Sequence, residues 1–458
     1  MIRRKFIASS MSAAAGSIIL PTIVPSSVIG KNPPSDKINI GWIGCGRQGS
    51  GDLRATIKFD SAMFVAVSDV DSKRAALGKK LIEDTYTKSS GNKDYVSIKT
   101  YGDYRELLLD KSIDAVLITT PDHWHSQPAI EAALAGKDIY LEKPTSLTIA
   151  EGRLLSDVVR RKKVILQVGT QQRSSMQWRY AAELVRNGRI GKLHTVKIGL
   201  PGDPSGPEAL EMPVPKNLNY DMWLGSTPMA YYTEMRVHPQ NSINDRPGWL
   251  RCEQFGAGMI TGWGQHHFDS AAWGMDTELT GPISVEAVAQ FPKSGLWDVH
   301  GDFMSKAEYK NGITQLTSGG YPNGVRYEGT EGWIFVTRGG YTATASDPVV
   351  QDRNSKALTA SDPKILTSVI GPDEIHLYES NSQQGNWLDC IKSRKEPISP
   401  VEIGHRACTV CLITHIAMKL GRKLNWDPDK EKFVNDNEAN SMLSRPQRAP
   451  YGTDYIKM

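Results

Sequence analysis

The sequence predicts an α/β protein: a doubly wound parallel sheet, then an α+β domain on a large, open, mostly antiparallel sheet. Three observations carry that expectation. The segment from Lys37 to Gly51, KINIGWIGCGRQGSG, joins an apolar strand to a glycine-rich turn and a helix-compatible stretch. Apolar runs and helical segments then alternate as far as about residue 170, the pattern of βαβ units. Beyond that point strand candidates dominate, which is the texture of an α+β unit.

The opening turn is the most informative stretch. Gly44-Cys45-Gly46-Arg47-Gln48-Gly49 follows Ile38 to Ile43 directly and spells G-x-G-x-x-G between strand and helix. Gly44 permits the tight turn, Gly46 lets the backbone approach a pyrophosphate, and Gly49 allows close helix–strand packing. The phosphates then sit on the helix N-terminus. A second apolar run, Met63 to Ser68, ends in Asp69, at the expected distance of about twenty residues from the fingerprint. A carboxylate there accepts from a ribose 2′-OH and repels a 2′-phosphate, so the expected cofactor is NAD, bound in a Rossmann domain spanning 37–170.

The length of 458 residues is too great for one ordinary core, and two domains are expected. A net charge of +4 and the absence of a later basic run give no support to nucleic-acid binding. Of the five cysteines, Cys408 and Cys411 sit at i, i+3, a single pair on one helix face that reads as packing rather than a zinc pattern, and the odd number argues against a disulfide framework. Residues 1–36 read as an export signal and linker. Arg3-Arg4-Lys5-Phe6-Ile7 precedes a short apolar run, Ala8 to Leu20, too short to span a bilayer. The Arg-Arg pair resembles the twin-arginine type, which exports folded proteins. The expected location is therefore the periplasm, without stable membrane insertion once the signal is removed.

Along the chain, Lys73 to Glu83 and Tyr101 to Leu109 read as helices. Ile113 to Thr120 is a buried parallel strand ended by Pro121. Helix Ser126 to Ala135 leads to strand Asp138 to Leu141, and helix Thr148 to Arg161 leads to strand Val164 to Gly169. The second domain, 171–424, has strand candidates at Ile190 to Ile198, Ile283 to Gln290, Gly312 to Ser318, Trp333 to Thr337 and Thr342 to Ala345. Its late helices are Gln383 to Ser393 and Ile403 to Leu420. The tail, 425–458, reads as irregular and docked on the surface. An open sheet must cover its outer face, so a homo-oligomer, dimer or tetramer, is expected.

Ligands of an open parallel sheet bind beyond the carboxyl ends of its strands. Three of those ends carry reactive side chains: Pro121-Asp122-His123-Trp124-His125, Glu142-Lys143-Pro144 and Gly169-Thr170-Gln171-Gln172-Arg173. Oxidising a sugar alcohol requires a base for the hydroxyl proton while hydride leaves the same carbon. Lys143 suits that role, by donating hydrogen bonds that lower the hydroxyl pKa or by moving the proton itself. Thr120, Pro121, His125, Glu142, Lys143, Gln172 and Trp223 join the fingerprint residues as cofactor candidates.

The fingerprint, Thr120-Pro121, Glu142-Lys143-Pro144 and Trp223-Leu224-Gly225 together resemble the Gfo/Idh/MocA family, named for glucose–fructose oxidoreductase and inositol dehydrogenase. That resemblance implies a Rossmann domain plus an open-sheet domain, a nicotinamide cofactor, sugar or polyol substrates, and Lys143 as the family lysine. A second family mark places Asp and His four apart on a helix. Here Thr261-Gly262-Trp263-Gly264-Gln265-His266-His267-Phe268-Asp269 keeps His266 and Asp269, while Gly262 stands where the family usually has aspartate. His266, at a near-neutral pKa, is then the candidate general base. Arg173, Tyr232, Arg236, His238, His266 and His267, with Lys143, are the substrate candidates; Trp223 and Tyr231 add flat apolar faces for a sugar. No metal is expected, because adjacent histidines project about 100° apart on a helix. The resulting expectation is an exported NAD-dependent oxidoreductase that turns a ring hydroxyl of a sugar or glycoside into a ketone with a tightly bound, recycled cofactor. Two other readings share the residues: an NAD-dependent glycoside hydrolase or lyase with no net redox change, and a sugar-binding sensor without turnover.

Overall fold

A computed structural model describes residues 37–90, 97–339 and 356–456. Six strands form an all-parallel sheet: β1 (Ile38–Ile43), β2 (Ala62–Ser68), β3 (Lys99–Tyr101), β4 (Ala115–Ile118), β5 (Asp138–Leu141) and β6 (Leu166–Val168). Their order, 3-2-1-4-5-6, is that of the doubly wound dinucleotide fold. The sequence explains the burial: β4 is AVLI and β5 is DIYL, buried along their whole length because helices cover both faces of a parallel sheet. The segment expected as one helix from Tyr101 splits in two. Tyr101 ends β3, and helix Tyr104–Leu109 begins only after Asp103 caps it, accepting from Arg105 N at 2.9 Å.

Nine strands form the second sheet: β7 (Leu193–Gly199), β8 (Ser284–Ala289), β9 (Phe303–Glu308), β10 (Thr314–Ser318), β11 (Gly324–Gly329), β12 (Gly332–Val336), β13 (Leu358–Ala360), β14 (Leu424–Asp427) and β15 (Lys432–Phe433). Only β7 and β10 pair in parallel; the other pairs are antiparallel. Strands β9, β11 and β13 carry polar residues at alternate positions, and that half-exposed pattern hides them from a search for apolar runs. The tail expected to be irregular from Asn425 instead contributes a strand: β14 pairs with β8 through Leu424 and Val285, and Trp426 is buried. The expected strand at Thr342 to Ala345 and the export segment lie outside the described residues. Among the described residues no helix is long and apolar enough to cross a membrane.

Both sheets belong to one compact unit, Ile38–Met458, and helix Val401–Leu420 joins them. It packs on β8 and on helix Ile149–Lys162, and its Cys408 and Cys411 lie in the larger core as free, buried thiols. Helix Ile149–Lys162 starts at a capping box, Thr148 with Glu151, and ends on Arg160, Arg161 and Lys162, favourable to its dipole. Arg153 on that helix reaches Glu402 at 2.8 Å and Glu431 at 2.7 Å, and His405 Nε2 lies 2.8 Å from Glu431. Burial disfavours ionisation of Glu431, but bonds from His405 and Arg153 outweigh it and hold the carboxyl down to about 2. Burial keeps His405 below its usual value, so at neutral pH it is an uncharged donor and Arg153 answers the charge.

A depressed carboxyl stabilises the fold above its unfolded value and loses that contribution as pH falls toward its folded one. Glu431→Gln is expected to cost about 1–2 kcal/mol at pH 7, discounted for partial wetting, and to flatten the loss of stability between about pH 5 and pH 2. Thermal unfolding followed across that range checks it.

Candidate active site

One cleft runs along the carboxyl ends of the parallel strands. The turn after β1 forms its floor. Gly44 has φ +89°, and a Cβ there would lie 2.8 Å from the Thr119 carbonyl carbon, so only glycine makes this turn. A Cβ on Gly49 would overlap Thr119 Oγ1 and the Gly44 carbonyl, which fixes how closely the next helix packs. That helix, Arg47–Thr56, starts at Gly46 with no side-chain cap, leaving its first N–H groups directed at the cleft for an anion. Asp69 faces them: Oδ2 accepts from Cys45 N at 2.7 Å and Oδ1 from Asp71 N at 2.9 Å. Burial raises its pKa, partly offset by those two bonds and by Arg74. The glycine turn, the uncapped helix and the carboxylate fit a dinucleotide, with the pyrophosphate on the helix and the adenosine ribose at Asp69.

Thr120, Pro121, His125, Glu142, Lys143 and Trp223 line the same cleft, with Gly44, Gly46, Arg47, Gln48 and Asp69. Its reactive end is built from β4 and β5. Lys143 Nζ donates to the Gly262 carbonyl at 3.0 Å and lies 3.8 Å from Glu142 Oε2. The Lys143–Pro144 peptide is cis. His125 is held between the carbonyls of Pro144 and Thr120, and burial pushes it down to about 4. The Trp223 carbonyl accepts from Trp124 Nε1 at 3.0 Å and lies 2.7 Å from His123 Nε2, pinning the loop that covers the strand ends.

Other expected residues lie elsewhere. The Cys45 side chain points away from the cleft, under Gly78, and only its N–H serves the turn. Gln172 is buried behind the cleft, accepting from Ser270 Oγ at 2.8 Å. Arg173 lies outside the cleft lining, at the centre of a buried ion cluster. It meets Asp269 at 2.6 Å and Glu278 at 2.7 Å, with its guanidinium over Trp273. Tyr232 is buried against Tyr220, and Arg236 stacks on Tyr231 at 4.2 Å, neither reaching the cleft lining. His238 does line the cleft, but at its Asp69 end, 3.0 Å from Asp71 Oδ2. Burial opposes ionisation of Asp71; His238, Asn217 and Gln240 overcome it and hold the carboxyl far below the usual range.

His267 is held by Asn323 Oδ1 at 2.7 Å and by Trp263 Nε1 at 2.9 Å, stacked on Trp178. His266 is fully buried, and neither ring nitrogen has a partner among the described residues. Burial, with the charges of Arg338 and Lys143, drives its pKa well below 6.5, against the near-neutral value expected from sequence. It is a neutral ring set behind the lining rather than part of it. Asp122, Arg74 and the segment carrying Ile243, Asp245, Pro247, Trp249 and Leu250 also line the cleft, and of these the sequence singles out only Asp122, as part of a reactive strand end. Asp122 stood at a strand end and was legible there; the others are brought in by long-range folding.

Two substitutions separate these assignments. Arg173→Ala strands a buried carboxylate and is expected to cost about 3–5 kcal/mol in denaturant unfolding; unchanged stability with weakened sugar binding would return Arg173 to the substrate list. Asp69→Ala removes the carboxylate that repels a 2′-phosphate, beside Arg74, whose Nη1 would lie 3.8 Å from a Cβ on Gly46. Titration calorimetry should show NAD weakened about tenfold and NADP gaining relative to it.

The comparisons with known proteins agree with this layout. Residues 38–170 match the description "Oxidoreductase family, NAD-binding Rossmann fold", and residues 204–338 and 370–453 match its "C-terminal alpha/beta domain". The chain is 31% identical over 195 residues to myo-inositol 2-dehydrogenase of Thermotoga maritima, covering 43% of this chain and 54% of that protein. It is 32% identical over 164 residues to glycosyl hydrolase family 109 protein 2 of Shewanella sp. (strain ANA-3), covering 32% of this chain and 35% of that one. The chain thus spans about half the length, or less, of these curated relatives. Among solved structures, levoglucosan dehydrogenase complexed with NADH and levoglucosan has the same fold, with a TM-score of 0.56 at 19% identity over 85% of this chain and 99% of that one. With matched fingerprint, matched second domain and a cleft shaped for the dinucleotide, the chain belongs to the Gfo/Idh/MocA family of oxidoreductases and carries its NAD-binding Rossmann domain.

Proposed function

We propose that this protein is an exported NAD-dependent oxidoreductase that oxidises a ring hydroxyl of a sugar or glycoside to a ketone, with a tightly held cofactor recycled in place. The observation that carries this reading is the continuity of one cleft. It runs from the phosphate-binding turn and Asp69 to Lys143 and Gly262, so one cleft joins the dinucleotide-binding residues to the reactive strand ends. Trp223, Trp249 and Leu250 add apolar faces to the cleft.

NAD, when bound, supplies the hydride acceptor. Lys143 binds and orients the substrate hydroxyl, its ammonium lowering the pKa of that hydroxyl in a pocket where burial strengthens electrostatics. The Gly262 carbonyl fixes the Lys143 side chain. Glycine stands at 262 where the family resemblance expects a carboxylate. His125, locked between two carbonyls, holds the turn after β4 in place.

The twin-arginine segment supports export of the folded protein with its cofactor inside, and the scarcity of free NAD outside the cytoplasm calls for recycling by a second sugar or an external acceptor. Exposed Val288 and Met304 on β8 and β9 support burial of the open sheet face in a homo-oligomer. Similarity to the glycosyl hydrolase family 109 protein favours one second reading, a redox-neutral glycoside cleavage.

Mass spectrometry of protein purified from the periplasm and denatured before injection is expected to release NAD. An empty protein that also fails to bind added NAD(H) would overturn the enzyme reading. Lys143→Ala should keep its NAD and lose turnover of glycosides by about 100-fold or more. Keto-sugar product that accumulates supports the oxidoreductase, whereas cleaved glycoside without keto product supports the redox-neutral reading.

A further inference from the structure

Asp122 opens the short helical turn Asp122–Trp124 that follows β4, and lines the cleft together with Glu142, Lys143 and Gly262. It is only 4% exposed. Among the described residues no other residue donates a hydrogen bond to its carboxylate, and Lys143 acts on it only through its charge. The facing position is Gly256, where even a Cβ would lie 3.3 Å from Asp122 Oδ2, so no side chain approaches from that side. Buried carboxylates are normally satisfied, and one left open costs the fold free energy.

The neighbouring acids are not open in this way. Glu142 accepts from Gln171 Nε2 at 2.6 Å and Lys143 N at 3.3 Å. Asp52 accepts from Gln48 Nε2 at 3.1 Å and Gln384 Nε2 at 3.3 Å. His266 stands outside the cleft lining. Asp122 is therefore the buried carboxylate at the Lys143 end whose missing donor must arrive with a ligand.

Resting on the oxidoreductase reading above, we propose that Asp122 is a catalytic residue, the acceptor of the proton from the substrate hydroxyl that Lys143 orients. In the step, the C–H bond of a secondary alcohol breaks and its electron pair leaves as hydride to NAD⁺. The O–H proton passes to the Asp122 carboxylate and the C=O bond forms, giving ketone, NADH and protonated Asp122. Reoxidation of the cofactor by a keto acceptor reverses the transfers and consumes the same proton. The surroundings tune the group for this task. Burial raises Asp122 to about 7, with Lys143 lowering it and Glu142 raising it again; the Cys408 thiol is the other titratable group facing it. A base poised near the working pH is the effective one.

The test uses the purified holoprotein with its bound NAD, mixed with methyl glucosides and cellobiose in a stopped flow while NADH absorbance is followed. Wild type should transfer hydride faster as pH rises through about 7, then level off. Asp122→Asn should lower that rate about 100- to 1000-fold and abolish the pH limb. Its NAD content, its thermal midpoint and its sugar binding read by tryptophan fluorescence should stay near those of wild type. Asp122→Glu should recover part of the rate. An Asn variant within about fivefold of wild type, or one that keeps the pH limb, overturns the proposal. So does a variant that loses NAD but transfers hydride normally once reloaded, because Asp122 would then be a cofactor contact. A wild-type holoprotein that reduces its NAD with none of these sugars overturns the oxidoreductase reading, and this proposal falls with it.

Discussion

Two buried carboxyl groups, Glu142 and Asp122, and the Lys143 ammonium line the cleft together at the ends of β4 and β5, and the rest of the site is arranged around that crowding. Burial raises Glu142, Asp122 and the nearby Asp52; the Glu142 charge raises Asp52 and Asp122 further, while Lys143 lowers all three. Like charges so close oppose one another's ionisation, and the Lys143 ammonium answers them. The Gly262 carbonyl matters in the same terms. It holds Lys143 by a dipole instead of a full negative charge, leaving the ammonium's field directed at the other groups.

How much of this was legible in the sequence depended on the range of the interactions. The strand–glycine turn–helix unit, Asp69 and the E-K-P triplet are local, and their backbone geometry follows from the residues themselves. Arg173 and His238 were less legible, because their partners come from distant segments. An arginine at a strand end and a histidine in an aromatic loop look like ligand groups until Asp269 and Asp71, each about a hundred residues or more away, claim them. His266 kept its position on a helix beside the site, but its protonation is set by the burial and by cations from distant segments. Half-exposed β9 and β11 escaped a reading tuned to apolar runs, as did β14, hidden in a tail rich in charge.

The second sheet and the parallel sheet are bound by side chains more than by chain continuity. Helix Val401–Leu420 lies against β8 on one side and helix Ile149–Lys162 on another, while Arg153, Glu402 and Glu431 tie the last turns of sequence back to the dinucleotide domain. The tail continues that role. Gly452 N donates to Gln127 at 2.7 Å, and Arg448 meets Asp221 at 2.7 Å. A relative orientation fixed at so many points keeps Lys143 and Gly262 in register across a separation of over a hundred residues.

The segment that carries His238 also carries Ile243, Asp245, Pro247 and Trp249, so a single stretch of chain covers the adenosine end of the cleft and reaches toward its sugar end. Its anchor is Asp71, gripped by His238, Asn217 and Gln240. Specificity and cofactor residence are therefore not independent traits in this protein. A change that reshapes this segment at the Lys143 end of the cleft therefore also alters its cover over the Asp69 end, where the dinucleotide sits.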